Sequence, residues 1–186
     1  MINRLLLLLA CGFVFSCKQE KAKVNTSQVA ELAVKSAKSC NPTPTRIIKK
    51  DGVALSVYNY EALEPLLNQN CEEIHVINFW ATWCKPCVAE LPYFERLHSE
   101  KNIPVTLISL DMPNLIESKL IPFVKKQALK SKVVVLDDPD ANSWIPKISP
   151  EWSGAIPATI IIKGDQRKFY EQSFTYETLS EAINTL

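Results

Sequence analysis

Two cysteines stand three residues apart in Trp83-Cys84-Lys85-Pro86-Cys87. At the start of a helix that spacing puts both side chains on one turn, within reach of a disulfide that can form and break. The unpaired backbone N–H groups of a helix N-terminus lie beside the first cysteine and favour its thiolate, the form that attacks a disulfide. Cys84 is therefore the expected nucleophile. Cys87, further into the helix and shielded, is the expected resolving thiol. Lys85 adds a small favourable field, and Pro86 suits a first helical turn because its missing N–H would be unpaired there anyway. A zinc site would need four ligands, and no second closely spaced Cys or His pair exists. A purely structural disulfide would not need the strand, turn and helix that surround this one.

The elements that must hold the pair can be read from the flanking pattern. Asn78-Phe79-Trp80-Ala81-Thr82 carries a strand into a tight turn just ahead of Cys84. β-Branched and aromatic runs predict strands at His75 to Trp80, Val105 to Leu110, Lys132 to Leu136 and Thr159 to Lys163. Helices are expected at Pro86 to Glu100, Asn114 to Lys130 and Tyr176 to Leu186, the last with Thr175 as N-cap and Glu177 in its first turn. Arg46 to Lys50 and Val53 to Val57, separated by Asp51-Gly52, predict an N-terminal hairpin, followed by a short helix near Tyr60 to Asn68. Strands alternating with helices imply an α/β fold, a central mixed sheet covered on both faces and preceded by that hairpin.

Composition excludes several other chemistries. The 186 residues are 47% hydrophobic and 22% charged, enough for one domain with a sizeable core. The four glycines, at 12, 52, 154 and 164, leave no glycine-rich phosphate loop. His75 and His98 are the only histidines, too few for a histidine-rich metal centre. Basic and acidic side chains balance at 21 against 20, with no basic patch for nucleic acid.

The N-terminus reads as a targeting segment. Met1 to Arg4 is a short positive start, and the eleven residues Leu5 to Phe15 form an apolar run too short to span a bilayer but suited to a signal-peptide core. Val14-Phe15-Ser16-Cys17 resembles a bacterial lipobox, which makes Cys17 the expected lipidated first residue of the mature chain. Leu8-Leu9-Ala10-Cys11 fits the pattern by residue type but leaves too short an apolar run ahead of it, and an ordinary secretory signal is the other alternative. The expected organisation is a signal peptide at 1–16, a polar tether at 17–44 and the folded domain at 45–186.

The stretch Phe79-Trp80-Ala81-Thr82-Trp83-Cys84-Lys85-Pro86-Cys87, followed by Glu90-Leu91-Pro92, resembles the thioredoxin fold, and specifically its TlpA-like and ResA-like extracytoplasmic thiol-disulfide oxidoreductases. The resemblance covers about residues 45–186. Pro92 fits it as a proline inside the active-site helix. Ala155-Ile156-Pro157-Ala158-Thr159 stands where the family has its cis-proline loop, which implies a cis Pro157 opposite the cysteines; a trans proline at a strand edge is the alternative. Asn78 occupies the position at which cytoplasmic thioredoxins carry a buried aspartate, and an asparagine cannot titrate. Glu90, three residues beyond Cys87, matches a glutamate of the TlpA-like and ResA-like group and is the expected proton carrier; the alternative is a solvated helix-face residue. A carrier has to be partly buried, which raises its pKa. The resemblance also implies substrate-facing roles for Trp83, Lys85, Pro86, Ile156 and Pro157. Trp152 is either an apolar wall beside the site or part of the core.

Together these readings imply an exported, lipid-anchored protein of the periplasm that reduces disulfides in other exported proteins, such as those whose haem-attachment cysteines must stay reduced. It would need no cofactor and would be recharged by a membrane thiol reductant. A thiol oxidase or isomerase would use the same residues. A copper-handling thiol protein is the third reading, with Met112 and His98 as the only extra ligands on offer. With Cys11 removed and Cys17 lipidated, Cys40 and Cys71 are left as a candidate second disulfide, the alternative being two free thiols.

Overall fold

The computed structural model describes residues 42–69 and 72–186. The predicted leader, nearly all of the tether, and Cys17, Cys40 and Cys71 lie outside the described residues.

The described residues form one seven-stranded mixed sheet in the order β1-β2-β5-β4-β3-β6-β7. Its strands are β1 (Arg46–Lys50), β2 (Val53–Tyr58), β3 (His75–Trp80), β4 (Val105–Ser109), β5 (Lys132–Leu136), β6 (Ala158–Lys163) and β7 (Gln166–Tyr170). Neighbours β2, β5, β4 and β3 run parallel, while β1, β6 and β7 each pair antiparallel. The expected hairpin is present, with Asp51 and Gly52 both at positive φ, as a two-residue turn of this kind requires. It does not stand apart from the sheet. Ser56, Val57 and Tyr58 of β2 pair in register with Val134, Val135 and Leu136 of β5, so the hairpin extends the sheet by two strands.

The helices are α1 (Tyr60–Leu67), α2 (Lys85–Lys101), α3 (Ile121–Gln127), α4 (Ala141–Ile148) and α5 (Tyr176–Asn184). On one face of the sheet, Leu91, Phe94 and Leu97 of α2, Ile121 and Val124 of α3, and Leu179 and Ile183 of α5 pack against Val76, Trp80 and Leu107. The other face buries Leu63, Leu66 and Leu67 of α1 and Trp144 and Ile148 of α4 against Ile77, Phe79, Ile108 and Ile160. Both faces are thus covered, as alternating strands and helices require. Thr175 caps α5, its side chain accepting from the Thr178 N–H in a reciprocal capping box.

The structure departs from the expected elements in three places. The helix predicted from Asn114 to Lys130 is a 3-10 turn at Pro113–Leu115, a π-helical turn at Ile116–Leu120 and then α3. It stops at Gln127 because Ala128 takes the left-handed conformation, letting the Leu129 N–H reach back to the Val124 carbonyl. α4 was not expected, since Asn142, Ser143 and Pro146 are weak helix formers. β7 follows β6 across the tight Gly164-Asp165 turn.

Candidate active site

β3 ends at Trp80, and its carbonyl accepts from the Leu110 N–H beyond β4, so the two central parallel strands open together at their C-terminal ends. The chain then turns through Ala81, Thr82 and Trp83, and the Cys84 N–H returns to the Ala81 carbonyl at 3.1 Å. Cys84 is the N-cap of α2, and its sulfur accepts from the Cys87 N–H at 3.3 Å. The two cysteines are joined by a disulfide, with Cα atoms 5.3 Å apart. Cys84 is 6% exposed and Cys87 fully buried. Trp83, Lys85 and Pro86 are exposed around the pair.

Pro92 lies inside α2. The Ile156-Pro157 peptide bond is cis, and the Ile156 carbonyl oxygen lies 3.6 Å from the Cys84 sulfur, so the two segments meet although 72 residues separate them. Trp152 is core. Its ring packs at 4.9 Å from Phe79 and 5.8 Å from both Trp144 and Phe169, and its Nε1–H donates to the Ala155 carbonyl, tying down the loop that leads into Pro157.

Glu90 is 1% exposed, which removes the solvated helix-face alternative. One carboxylate oxygen, Oε1, accepts from the Asn78 Nδ2 at 3.0 Å; the other, Oε2, accepts from the Phe174 N–H at 2.7 Å. Burial raises its pKa from 4.5 to about 7, against the two donors, which favour the charged form. Asn78 and Thr159 are register partners on β3 and β6, and the Asn78 Nδ2 also donates to Thr159 Oγ1 at 3.0 Å. Asn78, Glu90 and Thr159 thus form a small buried polar cluster inside an apolar core.

Two further carboxylates hold the backbone beside the sulfurs, and neither was picked out from the sequence. Asp111, 2% exposed, accepts from the Thr82 N–H at 3.0 Å, from the Thr82 hydroxyl and from the Ser109 hydroxyl at 2.8 Å. It braces the turn ahead of Cys84. The available signal was its position just past β4, since ligand-facing groups of parallel sheets gather at the C-terminal ends of strands. Glu171 accepts from the Ser153 N–H at 3.1 Å, the Ala155 N–H at 3.0 Å and the Ser153 hydroxyl. These donors hold its pKa below the usual carboxylate value. It braces the loop ahead of Pro157.

His98 sits eleven residues after Cys87 on the same helix, about 16 Å along the axis at the usual rise, too far to share a metal with the pair. Among the described residues no group of three or more His, Cys, Asp or Glu side chains could hold a metal ion. Among them also, no helix is long and apolar enough to cross a membrane.

The profile of the AhpC/TSA family matches residues 63–167, more than half of the chain. This chain belongs to the AhpC/TSA family. Its curated relatives include the thiol-disulfide oxidoreductase ResA of Geobacillus thermodenitrificans, 25% identical over 115 residues, covering 59% of this chain and 61% of that protein. ResA of Oceanobacillus iheyensis is 43% identical over 49 residues, 25% of this chain and 26% of the relative. The chain thus spans about a quarter to three fifths of the length of these relatives. Among solved structures, a DsbF homologue from Corynebacterium diphtheriae has a TM-score of 0.52 at 19% identity, over 80% of this chain and 89% of that one. A thiol:disulfide interchange protein of the thioredoxin family from Chlorobium tepidum scores 0.51 at 18% identity, over 78% and 96%. At such identities the likeness is one of fold, and the fold is thioredoxin-like, as the resemblance implied.

Proposed function

We propose that this chain is an extracytoplasmic thiol-disulfide oxidoreductase that reduces disulfides in exported proteins through Cys84 and Cys87. One observation carries the reading: a disulfide at the N-terminus of α2 between a slightly exposed Cys84 and a fully buried Cys87, followed one helical turn later by a buried carboxyl whose pKa lies near neutrality. In the reduced form the Cys84 thiolate attacks one sulfur of a substrate disulfide. That S–S bond breaks, a mixed disulfide forms, and the departing substrate thiolate takes a proton from water. Glu90 then accepts the Cys87 proton, and the Cys87 thiolate attacks the Cys84 sulfur. The bond between Cys84 and the substrate breaks, the second substrate thiolate takes up the proton that Glu90 had accepted, and the Cys84–Cys87 bond is restored, so that the substrate leaves as a dithiol with two electrons gained. A membrane thiol reductant supplies a further two electrons and reopens the Cys84–Cys87 bond. Trp83, Lys85, Pro86, Ile156 and Pro157 frame the surface on which the substrate chain lies. The names of the ResA relatives and the disulfide-exchange titles of the structural neighbours support this reading.

The leader-like N-terminus supports export, with Cys17 lipidated and the domain held at the periplasmic side of the envelope, and proteins whose haem-attachment cysteines must stay reduced are the proposed substrates. Cys40 and Cys71 are the proposed second pair. The test is turnover of a protein disulfide such as that of insulin, with a dithiol reductant. Cys84→Ser abolishes exchange, and Cys87→Ser accumulates the mixed disulfide. Glu90→Gln leaves the first attack intact and slows resolution by about 100-fold, within the usual range for a positioned proton carrier. Exchange surviving in Cys84→Ser overturns the reading, and resolution at the parent rate in Glu90→Gln removes Glu90 from it. A pair potential in the strongly oxidising range would reassign the direction to oxidation.

A further inference from the structure

Asn78 is fully buried, and its amide is used on one side only: Nδ2 donates to both Glu90 Oε1 and Thr159 Oγ1, whereas Oδ1 has no hydrogen-bond partner. Buried acceptors are seldom left empty, so the orphan oxygen calls for a reason. The partners as they stand suit a charged Glu90, with each carboxylate oxygen accepting one N–H. They do not suit a protonated Glu90. The Phe174 N–H occupies Oε2, so the proton has to sit on Oε1, where its O–H would point at the Asn78 NH2, donor against donor. An amide resolves this conflict without repacking, because its oxygen and nitrogen ends are nearly equal in size. A half-turn about the Cβ–Cγ bond puts Oδ1 where Nδ2 stood. That single carbonyl oxygen, with two lone pairs, can then accept from both the Glu90 O–H and the Thr159 hydroxyl. One end of the amide lacks a partner in either setting, so neither is favoured by that orphan.

We propose that Asn78 is a positioning residue for Glu90 whose amide serves both protonation states, Nδ2 donating to the carboxylate and, after a half-turn, Oδ1 accepting from the carboxylic acid. A carrier that gains and loses a proton in every cycle needs a neighbour that is neither purely donor nor purely acceptor, and an aspartate at this position would bring a second titrating charge instead. The groups facing Glu90 are Asn78 on β3, Thr159 beyond it on β6, the Phe174 N–H ahead of α5 and, one turn back on α2, Cys87 when reduced. Burial and the two N–H donors account for the displaced proton affinity of Glu90, with no charged side chain contributing.

The inference rests on the proton-carrier reading of Glu90, but its test needs no turnover. Carboxyl carbon and side-chain amide resonances are followed by nuclear magnetic resonance across neutral pH in the full-length oxidised protein. The Asn78 amide signals should shift with the midpoint of the Glu90 carboxyl and stop titrating in Glu90→Gln. Asn78→Leu removes a partner from both protonation states, but the bond to the carboxylate is charge-assisted and the stronger of the two, so the Glu90 midpoint should rise, by about one pH unit at most. Asn78→Asp, which keeps the shape should the leucine variant fail to fold, should raise it further. In resolution kinetics the pH midpoint should move with the carboxyl, whereas a merely structural asparagine would lower the rate and leave the midpoint in place. Asn78 amide signals indifferent to the Glu90 titration overturn the proposal.

Discussion

Glu90, on the helix that begins at the cysteine pair, and Glu171, bonded to the loop that leads into Pro157, respond to pH with opposite signs. Glu90 is sealed under α2 with two donors, and burial outweighs them, so its pKa rises to about 7. Glu171 lies near the surface with three donors from Ser153 and Ala155, and those bonds outweigh the slight burial, so its pKa falls. The balance of donors against desolvation, rather than the type of side chain, sets the two carboxyls apart. The linkage follows from the same balance. Folded Glu90 holds its proton more tightly than the unfolded chain does, so its contribution is full below about pH 4.5 and is lost as pH rises toward 7. Folded Glu171 releases its proton more readily, so its contribution is present above about pH 4.5 and is lost as pH falls through its lowered value.

The largest expected effect comes from a third carboxylate that tests whether donor count is the deciding variable. Asp111 combines the burial of Glu90 with the full donor set of Glu171. Asp111→Ala strands a backbone N–H and two hydroxyls and should cost about 3 to 5 kcal/mol in urea unfolding. A loss below about 1 kcal/mol would mean that water replaces the carboxylate there and that burial does not distinguish the two glutamates. Next in size, Glu90→Gln should remove the fall in stability between pH 4.5 and about 7, which the shift sets at up to about 3 kcal/mol. The variant should therefore match the parent near pH 4 and exceed it near pH 8. An unchanged slope in unfolding measured over that range would sink the assignment of that linkage to Glu90. The smallest effect is at Glu171, where water can stand in for the lost carboxylate. Glu171→Ala should cost less than about 1 kcal/mol at neutral pH, and the difference should shrink below pH 4.5. A cost that instead grows on acidification would reverse the sign given to Glu171.

Much of the frame was legible in the chain. Runs such as Val105 to Leu110 and Lys132 to Leu136 are mostly β-branched or apolar, the pattern of largely buried strands, and they appear as β4 and β5. α4 was not legible because Pro146 and two polar residues argue against a helix. It forms because Trp144 and Ile148, one turn apart, are both buried against the sheet. The end of α3 was not legible either, since the left-handed position belongs to Ala128 where glycine is the usual signal.

The sequence by itself determined the cysteine pair, because the spacing of Cys84 and Cys87 and the helix that starts between them depend only on near neighbours. It also pointed to Pro157 and to Glu90 as residues to watch. Tertiary structure alone decided the state of Glu90, through Asn78 twelve positions away and Phe174 eighty-four. It decided Trp152 for the core, and it recruited Asp111 and Glu171 as braces across 29 and 18 positions. Local geometry can place a sulfur at a helix end, but the proton affinity of a buried carboxyl depends on how much water the whole fold excludes and which donors it brings there, and those donors come from distant parts of the chain.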